Sequence, residues 1–352
     1  MHEGGSHGQG RRRLGAAWCW AAAALLCLPG AGLAVLRLIP WDIGTPWIQL
    51  LSLFPASVVV TAAAAALAVL ALCLDPRPRR TVLAAAVTGV MLLQLAMVLP
   101  RVLPQQGGAA AAPQAAPSSS GRSVTGRTVT VMALNVGPPG VDVEALLAEV
   151  RARRVDILAL PELTPPTLEA LEGAGVASDF PHRVLDVDWA GTGSGIFSRF
   201  PLETLERVPE STFYQSRAVA AVPGVTGGIH LTAVHIDSPR PGHTPYWRQE
   251  LRQLGGLGQA LPGPPSAILL GDFNASQDHR EFRDLLATGL TDAAQATGKG
   301  LAPTWPANSR VPPFVALDHV LVTPGIGILA FATFTVHGTD HTGVVAELSL
   351  DG

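Results

Sequence analysis

Within the first 103 residues lie three apolar runs, each long enough to cross a lipid bilayer, and these limit where the rest of the chain can fold. They extend from about Leu14 to Ile39, from Trp47 to Leu74 and from Thr81 to Leu103. A helix needs roughly 20 apolar residues to cross about 30 Å of hydrocarbon. The charged residues inside the runs are Arg37 and Arg101, each near an end from which a long side chain reaches the interface. A cleaved signal peptide would account for one run but not for three. Pro29 and Pro55 interrupt two of them, which membrane helices tolerate. Residues 1–103 therefore read as an anchor of three transmembrane helices.

Basic residues set the expected orientation. Arg11, Arg12 and Arg13 precede the first run, and Arg77, Arg79 and Arg80 fill the loop between the second and third. The loop from Pro40 to Pro46 has no Lys or Arg. The positive-inside rule then puts the N-terminus in the cytoplasm and everything after Leu103 outside the cell. Cys19, Cys27 and Cys73 all fall in the apolar runs, so the outer part has neither disulfides nor thiol chemistry. Residues 104–127, rich in Gly, Ala, Pro and Ser, read as a flexible linker. The remainder, 128–352, carries 24 acidic and 14 basic residues, a net charge of −10.

That remainder alternates strand and helix signals. Strands are expected at Thr128–Val136, Asp156–Leu160, Ser194–Ser198, Ala218–Val222, Ile229–Ile236, Ala267–Leu270, Leu317–Val322, Ile328–Val336 and Val344–Leu348. Helices are expected at Val141–Arg153, Pro245–Ala260 and His279–Thr288. The mixture of βα units with turn-linked strands points to an α/β fold with two sheets.

Polar residues gather where these strands end. Asn135 closes the first, Glu162 follows Leu160-Pro161, and His235 lies near the end of Ile229–Ile236. Asp272 and Asn274 follow Leu270-Gly271, Asp318 interrupts an apolar run, and Asp340 and His341 precede the last strand. Singly, each has an ordinary explanation as a turn, cap or surface residue. Together they form a set: Glu162, Asp272 and Asp340 are hard oxygen ligands suited to Mg²⁺, Mn²⁺ or Ca²⁺. Asn135 and Asn274 can ligate such a cation or donate to phosphate oxygens. His235 and His341 can move protons near neutral pH. Carboxylates, amides and histidines around a hard cation suit attack of water on a phosphorus ester.

In their order, these residues resemble the endonuclease/exonuclease/phosphatase superfamily, the DNase I-like fold. The resemblance rests on Met132-Ala133-Leu134-Asn135-Val136, Leu158-Ala159-Leu160-Pro161-Glu162, Gly193-Ser194-Gly195-Ile196-Phe197-Ser198-Arg199 and Val234-His235-Ile236. It continues in Gly271-Asp272-Phe273-Asn274, Leu317-Asp318-His319-Val320 and Thr339-Asp340-His341. Departures are Thr339 where Ser is common, Gly343 where Pro is common and Pro161 before the Glu; none removes a catalytic atom. The resemblance implies a four-layer sandwich of two packed β-sheets flanked by helices. It implies that Glu162 holds a metal ion, with Asn135 and Asp340 nearby. It implies that His341, oriented by Asp318, acts as general base or phosphate donor, and that Asp272 aligns the attacking water. It implies further that Asn274 and His235 stabilise the pentacovalent phosphorus. Arg217, on a strand edge after Gln215-Ser216, is a candidate contact for a substrate phosphate.

Substrate class follows less directly, because a fold does not set it. A net charge of −10 without a Lys/Arg cluster opposes tight nucleic-acid binding, which is mostly electrostatic. Tethering favours a lipid-linked phosphate or pyrophosphate at the outer leaflet. The layout of three spans followed by this domain also resembles the membrane-bound glycopeptide-resistance proteins of actinomycetes, which implies action on a lipid carrier of the cell wall. The alternatives are an extracytoplasmic nuclease and a catalytically silent membrane scaffold, and retention of every polar motif position argues against the scaffold. The orientation is directly testable. A phosphatase reporter fused after Leu103 is expected to be active in a bacterial envelope and one fused at Arg79 silent; the reverse pattern would overturn the outside placement.

Overall fold

Two β-sheets packed face to face form the part of the molecule that carries the motifs, in a computed structural model of the full chain. The structure describes residues 4–75, 77–105, 127–137, 140–257 and 266–350. Most of the expected linker, 106–126, lies outside the described residues. The chain divides into two compact units, Met1–Leu99 and Pro100–Gly352.

The first unit is built on α1 (Gly4–Leu38), α2 (Thr45–Leu51), α3 (Phe54–Leu74) and α4 (Pro78–Val102), the last of which runs into the second. The stretches Arg13–Leu38, Phe54–Leu74 and Arg80–Val102 are long and apolar enough to span a membrane. The second apolar run is not one helix. It breaks at Ser52-Leu53, and α3 restarts with Pro55 in its first turn, where a missing N–H leaves no bond unmade. Small residues set the packing of α1 on α3: a Cβ on Gly30 would overlap the Thr61 hydroxyl. Gln94 of α4 donates to the Gly30 carbonyl and to Ser57 Oγ, both at 3.0 Å, which satisfies the donors of a buried amide inside an apolar bundle, while its Oε1 has no partner.

The second unit continues with β1 (Arg127–Ala133), α5 (Val143–Ala152), β2 (Ile157–Pro161), α6 (Pro165–Gly173), α7 (Val176–Asp179), β3 (His182–Asp186), β4 (Ser194–Ser198) and β5 (Leu202–Leu205). There follow β6 (Arg217–Ala220), β7 (Ile229–His235), α8 (Thr244–Leu257), β8 (Ala267–Asp272), α9 (Arg280–Leu286), β9 (Thr291–Asp292) and α10 (Ala293–Ala296). The chain closes with β10 (Asp318–Val322), β11 (Ile326–Phe334) and β12 (Gly343–Leu350). One sheet has the order β11-β12-β1-β2-β4-β3, the other β5-β6-β7-β8-β10-β9. The pairs β1/β2 and β7/β8 are parallel; the others are antiparallel.

Strand alternation separates two cores. Val129, Val131 and Ala133 of β1 face the second sheet and join Ile157, Ile196, Leu231, Ile268, Val320 and Val344. Met132 and Leu134 face the other way and pack with Leu146, Leu147 and Val150 of α5. Helix α5 is apolar at Val143, Leu146, Leu147 and Val150, one face at helical spacing, and its N-cap Asp142 accepts from Ala145 N at 2.9 Å. With both faces of the central strands covered, their runs read as nearly all apolar. A polar residue at the end of such a strand therefore emerges at the edge of the sheet instead of inside a core.

Behind that edge, His319 of β10 is buried with both ring nitrogens in use. Nδ1 lies 3.2 Å from Asp292 Oδ2 and Nε2 lies 3.0 Å from the Ala275 carbonyl. Asp292 also accepts from Gln277 Nε2 at 3.1 Å and from Ala294 N at 3.0 Å, tying α10 to the loop after β8. Burial works against charge on His319, but Asp292 and the Ala275 carbonyl outweigh it and hold its pKa above the usual value. A folded pKa above the unfolded one contributes stability that is complete below about pH 6.5 and is lost as pH rises through the folded value. Asp292→Asn keeps the cap but removes the charge. The difference in Tm between wild type and this variant should be larger at pH 6 than at pH 9; the same gap at both would mean that the imidazole is neutral.

Candidate active site

Parallel pairing puts the ends of β1 and β2 side by side, and those of β7 and β8 likewise, with His235 in register with Asp272. The antiparallel β10 starts at the same edge, with Asp318 paired to Asp272, and β12 starts two residues after His341. Asn135, Glu162, His235, Asp272, Asn274, Asp318, Asp340 and His341 are thereby brought to one end of the sandwich. Asn135, Asp272, Asp318, His235 and His341 are all buried there, whereas Asp340 is exposed.

Asn135 is the hub. Its Nδ2 donates to Glu162 Oε1 at 2.9 Å and to Asp272 Oδ2 at 3.2 Å, one carboxylate from each sheet. Its Oδ1 accepts from Gly137 N at 2.9 Å. In this arrangement the amide steadies two carboxylates with its hydrogens, while its oxygen faces the backbone. Glycine at 137 leaves room for the Glu162 carboxylate, which a Cβ there would displace. Glu162 and Asn274 hold φ of 60° and 45°, a region few non-glycine residues occupy.

Asp272 is the most crowded acid. Its Oδ1 accepts from Asn274 N at 2.8 Å, and its Oδ2 lies 3.6 Å from His341 Nε2 and 4.0 Å from His235 Nε2. Asn274 Nδ2 also donates to the Ile236 carbonyl at 2.9 Å, fixing the turn after β8. His341 Nδ1 lies 2.8 Å from Asp318 Oδ2. The hydroxyl of Thr339 donates to the Asn135 carbonyl at 2.7 Å and accepts from His341 N at 3.2 Å, so threonine here provides the bonds a serine would.

The charges divide the roles. Burial, with Asp318 and Glu162 nearby, pushes Asp272 up to about 7, against the pull of His341. Burial disfavours charge on His341, yet Asp318, Asp272 and Asp340 together push it up to about 10, so it is an imidazolium at neutral pH. Burial and the charge on His341 push His235 down to about 3, so its ring is neutral; Nε2 lies 3.5 Å from Glu162 Oε1. Burial also raises Glu162. The donor set fits a hard cation. Asp272 and Asp318 each bring a carboxylate oxygen to a group whose atoms lie within 4.8 Å of one another; the third member, His341, has no lone pair to offer a cation while it is an imidazolium, and Asp318 Oδ1 is buried with no partner. Arg217 stands apart: on β6 it pairs with Thr232, facing away from the inter-sheet core, and donates to the Glu206 carbonyl at 3.1 Å.

A family profile described as "Endonuclease/Exonuclease/phosphatase family" matches residues 134–341. The chain belongs to this family. Among solved structures, a humanized TDP2 of D. rerio has 18% identity, covers 63% of this chain and 98% of its own, and superposes with a TM-score of 0.52. A truncated TDP2 of Caenorhabditis elegans has 16% identity, coverage of 63% and 98%, and a TM-score of 0.50. A protein of unknown function from Enterococcus faecalis V583 has 14% identity, coverage of 63% and 100%, and a TM-score of 0.50. At such identities the likeness is one of fold. No curated protein matches the sequence.

One part of this family member's site escapes the motif reading: the segment Thr304–Asn308. Thr304 Oγ1 accepts from Leu317 N at 2.9 Å and Asp318 N at 3.1 Å. Trp305 Nε1 donates to Asp340 Oδ2 at 3.2 Å, and Ala307 N donates to the Asp340 carbonyl at 2.6 Å. Asn308, at φ 49°, donates to the carbonyls of Val336 and Thr339 at 2.9 and 2.6 Å. The segment braces the turn carrying Asp340 and His341, yet it has no periodicity and no charge. Its visible signal is a Trp between Thr and Pro, followed by an Asn of the kind that tolerates a left-handed backbone.

The glycine before Asp272 offers a test of this geometry. Gly271 has φ 136°; a Cβ there would overlap the Val234 carbonyl and lie 3.1 Å from Pro161 Cγ in the facing sheet. Gly271→Ala should lower unfolding stability by about 1–3 kcal/mol, the cost of such a backbone. Thermal unfolding of the full chain in detergent checks this, and an unchanged Tm would refute the close approach.

Proposed function

We propose that this chain is a membrane-anchored, divalent-metal-dependent phosphoester hydrolase acting outside the cell on a lipid-linked phosphate or pyrophosphate. Membership of the family supports the coarser part, a metal-dependent phosphoesterase or nuclease. The observation that carries the reading is the meeting of Glu162, Asp272 and Asp318 with a protonated His341 where two sheets end. Glu162, with Asp340 and Asn135 beside it, would hold the cation, with Mg²⁺ expected and Mn²⁺ or Ca²⁺ as alternatives. Bound there, it would supply positive charge against the phosphate oxygens and the leaving group.

The protein groups divide the remaining work. Asp272, raised to about 7 and fixed by Asn135 and Asn274, aligns water and accepts its proton. His341, charged and held by Asp318, donates to a phosphoryl oxygen through Nε2, which favours phosphate donor over general base. Asn274 and neutral His235 offer donors to the charge that develops on phosphorus. Asp318 fixes the orientation of the His341 ring. Arg217, whose guanidinium donates to the Glu206 carbonyl, is given no part in this reading.

Three points favour a lipid-linked substrate. The same chain carries three helices able to span a membrane, which raises the local concentration of the domain at a lipid surface. The arginine asymmetry favours a domain outside, where cell-wall lipid carriers are used, and the layout resembles that of the glycopeptide-resistance proteins of actinomycetes. The net charge of −10 after residue 127 opposes a nucleic-acid backbone. A nuclease remains the second reading, supported by a TDP2 of D. rerio complexed with single-strand DNA product.

The decisive test uses the full chain in detergent with Mg²⁺ against a polyprenyl pyrophosphate, a phospholipid and plasmid DNA. Hydrolysis of the polyprenyl substrate, abolished by EDTA, is expected; preferential cleavage of DNA would favour the nuclease. Glu162→Gln should lower turnover by at least about 10²-fold, the scale of lost transition-state electrostatics, with partial recovery at high Mg²⁺. Wild-type activity of this variant in EDTA would refute the metal role.

A further inference from the structure

Away from the catalytic edge, the helix-facing side of the first sheet has a cavity of about 440 Å³ beside the C-terminal end of α5. Its floor is small and apolar, formed by Ala330, Ala332 and Val345. Arg153, Arg154 and Lys299 line it, opposed by one carboxylate, Glu347. Thr130 and Glu347, register partners on β1 and β12, lie mid-strand; Asn135 is five residues further along, about 16 Å at strand rise. Three cations against one acid stand out in a region whose net charge is −10, and Lys299 is the chain's single lysine.

Ordinary roles account for two of the cations. Lys299 Nζ donates to the Phe331 carbonyl at 2.7 Å on β11, the outermost strand of its sheet, and so blunts a free edge. Arg153 pairs with Glu149 at 2.7 Å and lies over the Phe334 ring at 5.6 Å. Arg154 has no such account. It follows the C-cap of α5 at φ 52°, with Arg154 N bonded to the Arg151 carbonyl and Val155 N bonded to the Val150 carbonyl. This helix-ending geometry favours glycine, and an L-residue there costs about 1 kcal/mol. Complementing the helix dipole does not require that cost, because Arg151 and Arg153 already end the helix. The guanidinium is what the position gains.

We propose that this cavity binds a phosphate group, either of a soluble phosphate or of an anionic lipid headgroup. Arginine forks match tetrahedral phosphate oxygens, the lysine adds a point charge, and the volume suits a headgroup-sized ligand. None of the lining residues belongs to the candidate active site, so turnover is an independent readout.

The test uses the full chain in nanodiscs, with EDTA present to weaken phosphate binding at the metal site. Hydrogen exchange is followed in neutral phosphatidylcholine discs with and without inorganic phosphate, and in discs containing phosphatidylglycerol. Slowed exchange over residues 149–155 and 330–332 is expected. Protection by inorganic phosphate alone assigns a soluble ligand, protection by phosphatidylglycerol alone assigns a headgroup, and protection by both supports the shared chemistry. Arg154→Gly with Lys299→Ala should raise the half-saturating ligand concentration at least tenfold while leaving turnover unchanged, and Arg154→Gly alone should not lower Tm, since glycine suits that backbone. No protection in either arm, or equal half-saturation in wild type and variant, would overturn the proposal.

Discussion

Electrostatic repulsion among carboxylates is the constraint on which the candidate site is built. Glu162 comes from one sheet, Asp272 and Asp318 from the other, and Asp340 from the turn that leads to the last strand. Burial of Asp272 and Asp318 removes the water that would screen them. The fold answers with groups that lean on several acids at once: Asn135 donates to a carboxylate from each sheet, and the imidazolium of His341 lies between Asp318 and Asp272. The strained backbone at Glu162 and Asn274, and the glycines at 137 and 271, are the local adjustments that let these groups meet.

Much of this was legible in the sequence because the central strands are apolar on both faces. A polar residue closing such a run has nowhere to go but the edge of the sheet, so Asn135, Glu162, His235, Asp272 and Asp340 announce themselves. Two short edge strands do not: β3 and β5 have mixed exposure and no clean alternation, and neither was anticipated. Arg217 shows the limit of a motif, since its position was plausible but the face of its strand depends on register, which pairing with β7 alone decides. Thr304, Trp305 and Asn308 act through backbone carbonyls, amides and one indole N–H, contacts that leave little trace in composition.

The first unit, with its three helices long and apolar enough to span a membrane, follows the same logic. Length and hydropathy located the spans, but the polar residues that knit them did not stand out. Gln94, Ser57 and Thr61 are buried among alanines, where an unmet amide would be costly, and Gly30 supplies the close approach that lets α1 lie against Thr61 of α3.

The central place of β1 has a consequence for the order of events during synthesis. This strand emerges first among the twelve, yet one of its two neighbours is β12, the last to be made. The Thr339 hydroxyl that holds the Asn135 carbonyl comes 204 residues later. Asn135 therefore has no finished surroundings until the residues through Thr339 have left the ribosome. Until Thr339 has been made, a nascent chain lacks the contact that holds the Asn135 carbonyl, and the edge where the candidate residues meet stays unassembled.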